Sequence, residues 1–293
     1  MKTFKYTLIL LMIMLPLCLI KGQDIEDLLE DELDNTTEYT VSTFHSTRII
    51  FGQSIERMPK KGLDLRIEHR FGLIQDGWQE FFGIDQSSSF LGLEYGLNDR
   101  VMIGLGRATY KKTVSGFIKA GLLRQSSGSR NVPVSVGFVS SLAMNTTKYG
   151  DEEKNDNFSA RLDYTNQLLI ARKFNKNLSL QVTPTHVHRN MVRTNEEKND
   201  LLAVGIGGRY KISNRVAITA EYYYVEGIQE ATYAKYENPL AVGVDIQAGS
   251  HVFQIHLTNA MPMTENNFLG ETTGNFFKGD IRIGFNISQV FSL

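Results

Sequence analysis

The chain has a single cysteine, Cys18, and it falls within the first two dozen residues. Everything after it therefore lacks a thiolate nucleophile, a cysteine–zinc site, an iron–sulfur cluster and a disulfide. Beyond residue 22 no apolar run approaches the roughly 20 residues that a membrane helix requires. An excess of one charge is missing too: 31 Lys and Arg stand against 32 Asp and Glu. That balance argues against nucleic acid as a partner. No cofactor motif is present. Gly205-Ile206-Gly207-Gly208 lacks the strand–loop–helix setting of a phosphate cradle. It reads instead as small lumen-facing residues that leave room inside a wall. The Asp151–Asp156 cluster has neither the spacing nor the glycine of a calcium loop, and reads as a solvated external loop.

What is present begins with a leader. Lys2 and Lys5 precede an apolar run from Tyr6 to Ile20, and Lys21-Gly22-Gln23 supplies a small residue for cleavage. This layout predicts a signal peptide over 1–22. Leu15-Pro16-Leu17 lacks the small residue expected before a lipidated cysteine, so Cys18 belongs to the discarded leader. Residues 23–60 then read as a periplasmic segment. Within it, Asp24–Asp34 carries seven carboxylates, with Ile25, Leu28, Leu29 and Leu33 at helical spacing. That pattern predicts a short amphipathic helix in the periplasm. It is either a docking segment for a periplasmic partner or a solvated tail.

From Lys61 onward the chain alternates with period two. Leu202, Val204, Ile206 and Tyr210 oppose Ala203, Gly205, Gly207 and Arg209, and Ile281, Ile283, Phe285 and Ile287 oppose Arg282, Gly284, Asn286 and Ser288. A strand sends successive side chains to opposite faces, so each segment has one greasy face and one small or polar face. Charges of both signs fall on the polar face: Asp64, Arg66, Glu68, Arg70, Lys119, Arg161, Asp163, Arg209, Glu221, Asp245 and Arg282. A soluble sandwich would turn these residues to water, whereas a membrane barrel turns them into a wet lumen and the apolar face to lipid. The leader and the aromatics near strand ends decide for the barrel. Girdle candidates are Phe71, Tyr95, Tyr110, Tyr164, Phe174, Tyr210 and Phe291. The expected place is a bacterial outer membrane, with its lipid and the barrel-assembly machinery as partners.

Connections alternate in length. Tight turns lie near Leu97–Arg100, Ser126–Asn131, Asn175–Asn177, Ser213–Arg215 and Ala248–Ser250. Longer polar links lie near Gly72–Ser87, Asn145–Asn157, Arg193–Asn199, Glu226–Asn238 and Pro262–Gly279; only Lys111–Ser115 is brief. Short turns belong to the periplasm and long loops to the exterior. The count predicts an all-β antiparallel barrel of about 12 strands over 61–293, with 14 as the rival. The extended stretch Thr43–Glu56 would make the number odd. It reads as a plug that enters the lumen or packs at the periplasmic mouth.

The stretch TRIIFGQSIERMPKKGLDLRIEHRFG (Thr47–Gly72), with FFGID (Phe81–Asp85) and GLEYGLNDRVMIGLGR (Gly92–Arg107), resembles an uncharacterised bacterial outer-membrane barrel family, domain of unknown function 5777. The likeness covers nearly the whole mature chain and is specific over Thr47–Arg107. It implies a β-barrel and brings no activity, cofactor or catalytic residue with it.

Chemistry is sparse. Trp78, the only tryptophan, sits with Phe81 and Phe82 in the Gln75–Gln86 link. These aromatics could line an external ligand site, fold inward as a lid, or mark the interface. His186 and His188 share one strand face and His256 faces the lumen of another, but no third ligand is identifiable; polar interface residues are the plainer reading. A barrel-wall lipid hydrolase would need a serine and histidine in contact with an orienting group, and no nucleophile motif marks one. The expectation is therefore a non-enzymatic, cofactor-free and metal-free barrel serving as a narrow or gated conduit for small solutes. The alternative is a closed structural or docking barrel with an ion-paired lumen.

Overall fold

The alternating segments become strands because one register buries every polar face together and leaves every apolar face outside. In the computed structural model, residues 36–147, 157–192, 197–228 and 235–293 are described. The leader 1–22, the acidic segment Asp24–Asp34 and the Asp151–Asp156 cluster lie outside the described residues.

In chain order the strands are β1 (Thr37–Tyr39), β2 (Gly62–Leu73), β3 (Ser87–Gly96), β4 (Val101–Ala108), β5 (Val114–Leu123), β6 (Ser126–Gly128) and β7 (Ser135–Met144). They continue with β8 (Leu162–Lys173), β9 (Leu178–Arg189), β10 (Asp200–Lys211), β11 (Val216–Val225), β12 (Leu240–Ala248), β13 (His251–Thr258) and β14 (Arg282–Ser292). Among the described residues, all but β1 and β6 form one closed antiparallel barrel of 12 strands, as the sequence predicts. Closure comes from β14 pairing with β2, with Ile287 opposite Ile67 and Asn286 opposite Glu68. No helix of the described residues is long and apolar enough to cross a membrane.

The two faces differ sharply. On β2 the inward Asp64, Arg66, Glu68 and Arg70 are almost fully buried, while the outward Ile67 is 40% exposed. Leu105, Ile206, Ile255 and Val204 likewise stand on the outside without a protein neighbour to cover them. An apolar belt of this size around a closed wall is stable only against hydrocarbon. Of the girdle aromatics, Phe174, Tyr210 and Phe291 are exposed at the tight-turn end and Tyr164 at the other. Tyr110 differs: its hydroxyl donates to Glu271 at 2.9 Å, which ties it to the longest loop rather than to lipid.

The connections follow the predicted alternation with one correction. Ser126–Asn131 is no tight turn: β6 lies in this link and pairs with β1, Glu38 opposite Ser127, outside the barrel ladder. Three-residue strands carry no readable period, so this pair left no trace in the hydrophobic pattern. It steers the N-terminal chain across the tight-turn mouth before it enters the lumen.

A lipid-facing charge should be costly if this outside belt meets hydrocarbon. Leu105 lies mid-strand on β4 and is 69% exposed. Leu105→Arg is expected to destabilise the barrel by about 2–4 kcal/mol, read from urea unfolding in lipid vesicles.

Candidate functional site

The lumen is where charged residues converge, and it is filled from both ends. From the tight-turn end, Thr43–Met58 enters as a hairpin. Ile49 N–H donates to Gly52 O at 2.9 Å and Ser54 N–H to Thr47 O at 2.9 Å, which places Ile50 and Phe51 at the tip. From the long-loop end, the β13–β14 link turns inward. It carries a short helix, α1 (Glu265–Glu271), of which Glu265 through Gly270 are buried. The two meet inside the wall: Phe51 and Phe268 rings lie 4.8 Å apart.

The barrel strands use their main-chain groups on each other, so the hairpin cannot join their ladder. Its own buried carbonyls and amides still require partners, and wall side chains provide them. Lys119 Nζ donates to Thr47 O at 2.9 Å, Ser54 O at 3.2 Å and Glu56 O at 3.0 Å. Gln254 donates to Ile49 O at 2.5 Å, Asn286 to Ile50 O at 2.8 Å and Gln181 to Gln53 O at 2.7 Å. Glu221 takes the opposite polarity. Its Oε2 accepts from the amides of Ile50, Phe51 and Gly52 at 3.1, 3.0 and 3.1 Å. Gly52 is required at this contact, because a Cβ there would lie 1.9 Å from the Tyr223 hydroxyl and 2.3 Å from Glu221.

Charge closes the centre. Arg48 on the hairpin bonds Glu265 of α1 through Nη1 at 2.7 Å, and its Nε lies 3.9 Å from Glu68 and 3.7 Å from Glu94. Burial alone would lower the Arg48 pKa, but the carboxylates of Glu265, Glu68 and Glu94 outweigh it and hold the guanidinium charged. Gln53 also donates to Glu265 at 3.0 Å, so this one carboxylate joins both arms of the hairpin to the loop. On β2, Arg66 Nε donates to Glu68 at 2.9 Å and its Nη1 to Ser46 at 2.9 Å. Arg70 donates to Pro262 O in the loop and lies over the Phe51 ring at 5.4 Å. Around these polar contacts run apolar clusters: Ile50, Phe51, Tyr223 and Phe268 toward the long loops, and Phe44, Ile49, Ile55 and Leu169 toward the tight turns.

The residues marked out from sequence fall as follows. Asp64, Arg66, Glu68, Arg70, Lys119, Arg209, Glu221 and Asp245 are buried in the lumen. Asp163 accepts from Asn266 of α1 at 2.7 Å near the long-loop end. Arg282, half-buried at the start of β14, reaches Phe71 O at 3.4 Å. Arg161 is the correction. Counting back by twos from Asp163 puts it on the lumen face, yet the chain leaves the sheet at Leu162. Arg161 sits in a 3-10 turn (Phe158–Arg161) and donates to Asn145 O and Thr147 O, tying a loop instead. Sequence reasoning missed Arg48, Glu94 and Glu265. Glu94 had a signal, alternation between Leu93 and Tyr95; the others lie in segments without a period.

Trp78, Phe81 and Phe82 lie exposed in the β2–β3 loop, with ring contacts of 5.6 and 6.1 Å from Trp78. Phe81 and Phe82 both have positive φ, 44° and 54°, a conformation that is strained for bulky residues. His186 and His188 stand outward and share Asp200 Oδ1, at 2.9 and 2.8 Å. His256 is buried on the lumen side of β13, away from them. Among the described residues no group of three such side chains could hold a metal. A serine–histidine contact does exist on the outer face: Ser89 Oγ to His69 Nδ1, 2.9 Å. His69 lies between Phe71 and Phe285, and the Ser89 amide is engaged with Thr109 Oγ1. These contacts supply neither an acidic orienting group nor an oxyanion donor, both of which a hydrolase needs.

Two predictions test this construction. Glu221→Ala leaves three buried amides without their acceptor, at about 1–3 kcal/mol for each. Hydrogen exchange at Ile50, Phe51 and Gly52 should then quicken while the β10–β11 ladder stays protected. The second concerns His45 in the hairpin, whose pKa is held down at about 4 by burial, then by Arg209 and Lys211. Released from the lumen, its imidazole titrates near 6.5. The undocked state therefore binds more protons between these values, so hairpin docking is favoured above pH 6.5 and weakens as pH falls toward 4. Exchange over residues 43–47, corrected for intrinsic rates, should rise across that window and stay flat in His45→Gln.

Among solved structures, the NanC porin matches with 10% identity and a TM-score of 0.47, covering 79% of this chain and 99% of that one. An outer-membrane channel from Pseudomonas putida F1 matches with 13% identity and a TM-score of 0.48, covering 81% and 98%. The outer membrane protein Omp33 of Acinetobacter baumannii matches with 7% identity and a TM-score of 0.43, covering 79% and 99%. No curated protein matches the chain. The family description that does match names the same architecture, and it runs from the start of the plug hairpin to the last strand. The chain belongs to the family described as a membrane bound beta barrel domain (DUF5777), matched over residues 44–291.

Proposed function

We propose that this barrel sits in an outer membrane and serves as a gated, non-enzymatic conduit for small solutes, shut in the conformation described above. One observation carries the reading: β14 pairs directly with β2, so the wall is complete without the hairpin. The stopper is thus separable from the wall. Side chains hold it, and removing it breaks no strand pairing. The lumen face it would uncover is polar and carries both signs, with Arg66, Arg70, Lys119 and Arg209 facing Asp64, Glu68, Glu94, Glu221 and Asp245. Such a surface keeps water. Tight turns assign the hairpin end to the periplasm and long loops assign α1 to the exterior. The gate then has two leaves, latched at Glu265.

A second reading is favoured by the apolar packing of Ile50 and Phe51 against Phe268 and Leu269: a permanently closed barrel that acts as a scaffold. Planar-bilayer recording decides between them. The mature chain should be silent. Deletion of 43–56, or that deletion combined with a shortened Thr264–Thr272 loop, should give discrete conductance steps. Silence in every variant that still folds as a barrel would leave only the scaffold.

A further inference from the structure

The tight-turn mouth is strongly basic, in contrast to the balanced lumen. Exposed cations are spaced around it: Lys60 and Lys61 before β2, Arg100 in the β3–β4 turn, Arg130 after β6, Lys176 in the β8–β9 turn and Arg215 in the β10–β11 turn. Outside the lumen, the acidic side chains at this end among the described residues are Glu38, Glu56 and Asp99. Glu56 is engaged, accepting from the amides of Thr43 and Phe44 at 2.6 and 3.2 Å.

The described N-terminal chain already runs over cations of this mouth. Arg124 donates to Thr40 O at 3.1 Å, Lys173 to Val41 O at 2.8 Å and Arg209 to Ser42 O at 2.7 Å. Further out, β1 lies along β6, and Ser129 N–H donates to Thr36 O at 3.3 Å. The chain upstream of Thr36 therefore starts beside Arg130, on the rim itself. A polar hollow of about 370 Å³ opens next to this path, edged by Arg57 and Arg124 and by Glu56 and Asp99.

We infer that the basic rim is a docking surface for the chain's own acidic segment, Asp24–Asp34. Charge complementarity is the first argument: that segment holds seven carboxylates and no cation. Reach is the second. Twelve strands about 4.8 Å apart and tilted about 40° enclose a mouth roughly 24 Å across. The residues between Asp24 and Thr36 can extend roughly 40 Å, enough to touch turns on the far side. Tethering is the third, because a segment joined to the rim competes at an effective concentration in the millimolar range. Docked there, it would pin the root of the hairpin where the chain turns into the lumen. The inference does not depend on whether the barrel conducts.

The test uses the mature chain from Gln23, which has no cysteine of its own, in detergent micelles. Nitroxide labels at Leu29→Cys and Asn214→Cys report the distance from the acidic segment to the β10–β11 turn by pulsed electron resonance. Docking gives a narrow distance distribution at low salt. It should broaden in 1 M NaCl, where the screening length falls to about 3 Å. It should also broaden at low salt when Arg130, Lys176 and Arg215 are replaced by Glu. A broad distribution at low salt, or a narrow one indifferent to both salt and charge reversal, overturns the inference. So does a distribution narrow in phosphatidylcholine bilayers but broad in phosphatidylglycerol ones, which would give the rim to lipid phosphates. The salt arm is read on the unreversed chain, so a reversed variant that fails to fold does not remove the test.

Discussion

A barrel wall spends its backbone hydrogen bonds on itself, and everything inside this protein follows from that. With β14 closed on β2, no strand edge is left for a lumen segment to join. The hairpin Thr43–Met58 brings a full set of buried amides and carbonyls into that enclosed space. The wall answers with long polar side chains placed at alternate strand positions: Lys119, Gln181, Gln254 and Asn286 as donors, Glu221 as acceptor. Shut away from water without a peptide to receive them, these residues would be costly. Their burial is the chemical imprint of the hairpin on the wall.

The same constraint explains which parts of the structure were legible in the sequence. Strand alternation reports one apolar and one polar face, and the leader and the strand-end aromatics assign the apolar face to the membrane. About 12 strands and most of their connections could be read from period and turn chemistry, the link that holds β6 being the exception. The lumen contacts could not, because their partners lie in segments without a period. Arg48 and Glu265 are 217 positions apart, and neither stands in a strand. Glycine-rich stretches were readable in kind but not in cause. Gly207 faces the lumen as a small residue should, and the hairpin takes up the space it leaves: a Cβ there would lie 2.4 Å from the Ile49 Cδ1 methyl. Arg161 fails for the complementary reason, since a period extrapolated one step past a strand end assigns a face to a residue that has left the sheet.

Buried charge in this lumen is organised for position more than for strength. Replacing buried ion pairs with apolar residues often leaves a protein as stable or more so, whereas orphaning one partner is expensive. Arg48 illustrates the asymmetry. Its guanidinium meets three carboxylates from three different elements: β2, β3 and the β13–β14 loop. Any shift of the hairpin along the lumen axis would leave buried charges of both signs without their partners. Ile50, Phe51 and Phe268 supply apolar burial but would tolerate sliding, because hydrophobic contact is non-directional. The ion cluster selects one depth of insertion, and the apolar tip makes that depth favourable.

Charge is distributed along the barrel axis in a way that the near-neutral total conceals. Lysines and arginines gather at the tight turns, both signs interleave in the lumen, and carboxylates are concentrated before the first described residue. Fields from exposed groups decay within about 8–10 Å at ordinary ionic strength, so these regions do not cancel one another at a distance. Buried charges must find partners in the protein, whereas exposed ones are balanced by salt ions or by a neighbour. Within the lumen the hairpin and α1 complete that balance with Arg48 and Glu265. At the rim the described chain offers Glu38, Glu56 and Asp99 against a larger set of cations. That excess is open to water, where salt ions screen it and where an anionic neighbour would be attracted. The neighbour with the shortest path to it is covalently attached, because the chain that leaves the rim at Thr36 leads within a few residues to Asp34.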